Sequence, residues 1–137
     1  MNRREVLKSS MVAGAAVAAG QILSQTAQAA TTGSVADARS HCIEVGRVCA
    51  QHCVEQLGNG NKDMAACLST VNDMLAACEA LQKLHAGKSK HAGAMAKVCL
   101  ETLTDCHAAC EKHAKMAACK DCADACKACI AACKAMT

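Results

Sequence analysis

Between residues 116 and 136 the chain reads MAACKDCADACKACIAACKAM, with sulfur at Met116, Cys119, Cys122, Cys126, Cys129, Cys133 and Met136. The steps are three or four residues, and an α-helix turning about 100° per residue brings such positions back to one face. No proline, glycine or aromatic interrupts the run. A helix with one face made wholly of thiols and thioethers has to bury that face against something that tolerates sulfur. Three earlier stretches carry a related stripe: Cys42, Val45, Cys49 and Cys53, with His52 beside it; Met64, Cys67, Val71, Met74, Cys78, Leu81 and His85; and Met95, Cys99, Leu103, Cys106, Cys110 and His113.

Helix signals separate the four stretches. Ser34 with Asp37 is a capping pair for the first helix, and Gly58 can close it. GNGN is a turn, with Asn61 as the expected cap of a second helix ending near Gly87. A short GKS connection leads to a third helix from about residue 89. The boundary before the fourth has neither glycine nor proline, and phase supplies it. Cys110 and Cys119 are nine residues apart, so on one continuous helix they would face about 180° away from each other. Both can line a common centre only if the chain turns near residues 113–116. Four helices, short loops and one apolar stripe each predict an all-α fold, an up-down-up-down four-helix bundle with a cysteine-lined core.

The first 30 residues are of a different kind. Arg3, Arg4 and Lys8 precede an apolar stretch from about Met11 to Leu23, and Ala27-Gln28-Ala29 suits a signal cleavage site. Residues 3–8, RREVLK, resemble the bacterial twin-arginine export signal, with Val6 where that signal usually carries phenylalanine. The expectation is a cleaved export signal over residues 1–30, a cysteine-rich bundle over 31–137, and a periplasmic or otherwise exported location. The stretch is too short, and too rich in alanine and glycine, for a convincing membrane span. Beyond residue 30 there are 12 Lys and Arg against 11 Asp and Glu. With that balance, and no aromatic to stack on a base, a nucleic-acid surface is not expected.

The same region has only 15 Leu, Ile and Val and no Phe, Tyr or Trp, so cysteine, methionine and alanine must fill the core. Cysteine buries like a small hydrophobe but covers less area than leucine. Disulfides explain the excess poorly. Thirteen is odd, and the commonest spacing, Cys-x-x-x-Cys at 49/53, 106/110, 122/126 and 129/133, sets Cβ atoms about 5–6 Å apart where a disulfide needs about 3.5–4.5 Å. Two thiolates so placed leave room for a metal ion between them. Soft sulfur ligands select Cu(I), with zinc and iron–sulfur clusters as competitors. Structural zinc prefers closed sets of four ligands, and clusters need four converging thiolates. A column of thiols suits many Cu(I) ions, each held by two or three sulfurs.

Over essentially its whole length beyond the signal, the chain resembles the cysteine-rich four-helix-bundle copper storage proteins. HCIEVGRVCAQHC, VCLETLTDCHAAC and CKDCADACKACIAAC, behind a twin-arginine-type signal, carry the likeness. The resemblance implies a lumen lined by cysteines and filled with Cu(I), many ions per chain, in a homotetramer. It makes ligands of Cys42, Cys49, Cys53, Cys67, Cys78, Cys99, Cys106, Cys110, Cys119, Cys122, Cys126, Cys129 and Cys133. It also implies copper enzymes or copper chaperones as recipients or donors.

Alternating helix direction gathers His52, Met64, His113 and Met116 at one end, beside Cys53, Cys67, Cys110 and Cys119. At the other end stand His85, Met95 and Met136, beside Cys78, Cys99 and Cys133. Imidazole and thioether bind Cu(I) more weakly than thiolate, which suits passing an ion inward. The resemblance favours the first end as the mouth, making His52, Met64, His113 and Met116 the candidates for admitting metal. His41, His91 and His107 read as ordinary solvent-facing histidines, and Met74 as core filler. Nothing singles out one activated thiol or a base beside it, so no enzyme is expected. A metallothionein-like zinc or cadmium buffer and a thiol-rich redox or structural protein stay as alternatives.

Overall fold

The computed structural model describes residues 22–135, with side chains from residue 35 onward. Residues 1–21 of the expected export signal, and Met136, lie outside the described residues. The helices are α1 (Ile22–Gly58), α2 (Met64–Ala86), α3 (Ala92–Glu111) and α4 (Ala117–Lys134), with no strand among the described residues. All thirteen cysteines belong to one compact unit, Thr32–Thr137.

Three helix starts differ from expectation. α1 does not begin at Ser34 but runs through it from Ile22. The preceding residues are rich in alanine and free of proline, so a capping pair alone does not stop the helix there. α2 begins at Met64, after Asp63 rather than Asn61, and without a side-chain cap. Gly60, at φ +89°, makes the reversal, and the Asn61 backbone carbonyl receives the Met64 N–H at 3.3 Å. α3 starts at Ala92 rather than near 89. Its entrance turns on Lys88 at φ +51°, a left-handed conformation normally given to glycine.

The turn inferred from phase is present. α3 ends at Glu111 and α4 starts at Ala117. Met116 adopts an extended conformation, φ −91° and ψ 125°, which swings the chain into the new helix. Contacts across the bundle fix the directions. Arg47 pairs with Glu79 at 2.8 Å and Ser40 accepts from Gln82 at 3.3 Å, so α1 and α2 run antiparallel. The pairs Cys67–Cys110 and Cys78–Cys99 do the same for α2 and α3. His107 Nδ1, which reading from sequence left to solvent, lies 2.9 Å from the Ala123 carbonyl and ties α3 to α4.

The core holds few large aliphatic side chains: Val71, Leu81 and Leu103 are fully buried with Met64 and Met74, and Ile43 is 5 % exposed. Small residues bring the backbones close. A Cβ on Gly46 would stand 2.6 Å from Met74 Cε and 3.0 Å from Leu75 Cδ2, so the glycine leaves room for these two α2 side chains against α1. Sulfur fills the remainder.

Candidate metal centre

Every cysteine is free and has no solvent exposure. The stripes seen in the sequence converge because consecutive helices reverse direction while their sulfur faces all point inward. Near one end, Cys110 Sγ lies 3.5 Å from Cys67, 3.9 Å from Cys49 and 3.9 Å from Cys106. Cys106 lies 3.8 Å from Cys122, and Cys42 lies 3.9 Å from Cys126. Further along, Cys78 and Cys99 are 3.0 Å apart and Cys129 and Cys133 are 3.9 Å apart.

These spacings have a chemical reading. Three sulfurs at about 2.3 Å from one d¹⁰ ion lie about 4 Å from one another. Most separations here are 3.5–3.9 Å. Cys49, Cys67 and Cys110 form one such triad, and Cys106, Cys122 and Cys126 another, with all sulfurs of each group within 4.8 Å. Two of the i, i+4 pairs, 106/110 and 129/133, sit at the same 3.9 Å separation, unbonded and wide enough to share an ion.

Crowded thiols divide their protons unequally. Cys67 is lowered to about 3 because Cys110 and then Cys49 donate hydrogen bonds to its thiolate. Burial, followed by the negative charge on Cys67, raises Cys53 to about 12 and Cys119 to about 11. Cys122 and Cys129 also lie well below the ordinary thiol range, the first held there by Cys106 and Cys110, the second by Cys133 and Cys42. Cys110 is pushed far up by Cys106, Cys122 and Cys49. The first proton of a group therefore leaves readily and its neighbours keep theirs. A cation entering among them displaces the protons that remain.

The two ends differ. At the first, His52 Nε2 lies 3.1 Å from Met116 Sδ, and Met64 is fully buried. His113 lines a surface pocket of about 310 Å³ together with Cys67, Asp63 and Lys112. At the second end His85 is exposed, and Met95 lines a groove between α2 and α3 with Asp73, Ala77 and Val98. Met74, read from sequence as filler, is fully buried with its thioether 3.7 Å from Cys42 Sγ.

Sequence reasoning passed over Arg39, which is 3 % exposed. The signal was there: it precedes Cys42 by three residues and so shares the sulfur face of α1.

A four-helix bundle whose core is lined by thirteen buried, free thiols has the chemistry of a soft-metal-binding protein. More narrowly, the family model described as copper storage protein matches residues 24–137, and the chain belongs to that family. No individual curated protein is similar enough to count as a match. Membership points to storage rather than catalysis.

Proposed function

We propose that the protein stores copper as Cu(I), many ions per chain, on the thirteen cysteine thiolates of the lumen. The observation that carries this reading is the run of fully buried free thiols at spacings suited to shared two- and three-sulfur coordination. Thiolate softness selects Cu(I), and each ion replaces thiol protons and joins helices that are otherwise held by a thin apolar core. The groups contain three sulfurs rather than the closed four that structural zinc prefers, which favours copper over a zinc or cadmium buffer. The His52–Met116 end serves as the mouth: weaker ligands capture the ion there and pass it to Cys53, Cys67, Cys110 and Cys119.

The function belongs outside the cytoplasm. The twin-arginine pathway moves folded proteins, so a bundle that folds before export keeps its thiols out of random disulfides. Replacing Arg3 and Arg4 by lysine should hold the precursor in the cytoplasm; normal export of that variant would refute the route. A homotetramer exchanging copper with copper enzymes or chaperones completes the proposal, and the mass in solution by light scattering tests the assembly.

The decisive experiment is an anaerobic titration of the reduced protein with Cu(I) against a competing chelator. Tight uptake on the order of one ion per cysteine is expected. Saturation at one or two ions, or displacement of Cu(I) by zinc at similar concentration, would defeat the reading.

A further inference from the structure

Arg39 is the one charged residue buried among the described residues, at 3 % exposure. Its Nε and Nη1 have no hydrogen-bond partner there. Burying an unpaired cation is costly, and proteins normally keep such a group only where something of opposite charge meets it. No carboxylate pairs with it among the described residues. What lies alongside is sulfur: Arg39 stands one helical turn from Cys42, on the cysteine-bearing face of α1, and is close enough to Cys129 for their charges to interact. Cys42, Cys78, Cys99, Cys129 and Cys133 lie together at this end of the lumen, opposite the mouth: Cys78 interacts with Cys42, Cys99 and Cys129, and Cys99 with Cys133.

Five thiolates are neutral only with five Cu(I) ions. While the group is partly filled, an ion held by two thiolates leaves one net negative charge and an ion held by three leaves two, and thiols not yet engaged keep their protons. In a buried lumen such a charge interacts strongly with any cation beside it.

Resting on the copper reading above, we propose that the Arg39 guanidinium is the resident counter-charge of a copper–thiolate assembly formed by Cys42, Cys78, Cys99, Cys129 and Cys133. It makes that end hold its ions most tightly while the store is partly filled. Ions admitted at the His52–Met116 end then move down the sulfur column towards the guanidinium, and the thiolates near the mouth are left free for the next arrivals.

The test uses the reduced full chain and its Arg39→Leu and Arg39→Lys variants. Each receives Cu(I) at a few ions per chain, in competition with a bidentate Cu(I) chelator. Arg39→Leu should weaken retention of these first ions by about tenfold, and Arg39→Lys should restore most of the loss. Removal of an orphan charge should also raise the melting temperature of the copper-free Leu variant, so the two effects have opposite sign. Unchanged first-ion retention in Arg39→Leu would overturn the inference, and so would equal losses in the Leu and Lys variants, which would mean that shape matters and charge does not. Failure of the unaltered protein to take up copper would refute the storage reading itself.

Discussion

Cys110 is the best-connected sulfur of the lumen, within 3.9 Å of Cys49, Cys67 and Cys106 on three sides. Replacing it with alanine removes one corner of the Cys49–Cys67–Cys110 triad and the link from that triad to Cys106. An ion that had three sulfurs is left with two. Loss of even an outer partner of a ligand costs metal affinity about 10–100-fold, so loss of the ligand itself should cost at least about 100-fold for the ions it holds. One or two ions per chain should therefore disappear from the anaerobic titration, drawn from the mouth side. The copper-free protein should lose only about 1 kcal/mol, the effect of deleting one buried atom of roughly methylene size. For a domain of this length that lowers the melting temperature by about 4–8 °C. Leu103→Val is the control. It is fully buried on the same helix and should cost a similar amount of stability, yet its copper count should equal that of the unaltered protein. If Cys110→Ala binds the full complement with unchanged retention, or if Leu103→Val loses as much copper, the sulfurs are packing material and the triad argument fails.

Joint replacement of Met64, His113 and Met116 by leucine should slow Cu(I) loading and chelator-driven removal in stopped-flow assays, with little change in final capacity. Changing His85 and Met95 should affect the rates much less; the reverse pattern would put the mouth at the other end. The copper-free protein should weaken in alkali. Cys53 and Cys119 are raised to about 12 and about 11 from an ordinary 9.0, so above pH 9 the unfolded chain sheds these protons first and folding stability falls as pH rises through 11 to 12. Denaturant midpoints that stay flat from pH 8 to 11 would contradict the assignment. Lys88→Gly should raise stability by roughly 0.5–1 kcal/mol, because the left-handed turn at φ +51° costs a lysine what a glycine adopts freely; a lower thermal midpoint would count against it.

Much of the architecture was legible because sulfur marks the inner face so densely. The turn before α4 carries no turn residue, yet the nine-residue offset between Cys110 and Cys119 located it, since two stripes out of phase cannot share a helix. Helix starts were harder. Ser34 is a good local cap, but a cap only favours a start, and the alanine-rich stretch before it has no breaker. At α2 the reversal is made by Gly60, so Asn61 contributes its carbonyl instead of its side chain. His107 could not be placed by residue type alone: whether a histidine meets water or a neighbouring carbonyl depends on where the next helix lies. Arg39 was hidden by habit of a different kind, because a charged side chain is assigned to the surface before its phase is considered.

The absence of any exposed cysteine separates two quantities that a copper store is usually credited with together. How much metal the protein holds at equilibrium follows from the number and spacing of its thiolates. How fast a recipient can draw on it follows from how often a helix end opens, because a partner cannot touch a thiolate that never reaches the surface. The native protein should accordingly look almost thiol-free to a bulky thiol reagent, reacting at a rate fixed by opening and independent of reagent concentration once the reagent is in excess. Copper that crosslinks the helices makes opening rarer, so a full store yields each ion more slowly than a nearly empty one would if binding strength alone set the rate. Delivery on demand then calls for a partner that binds the opened end, and not merely for one with a higher affinity for copper.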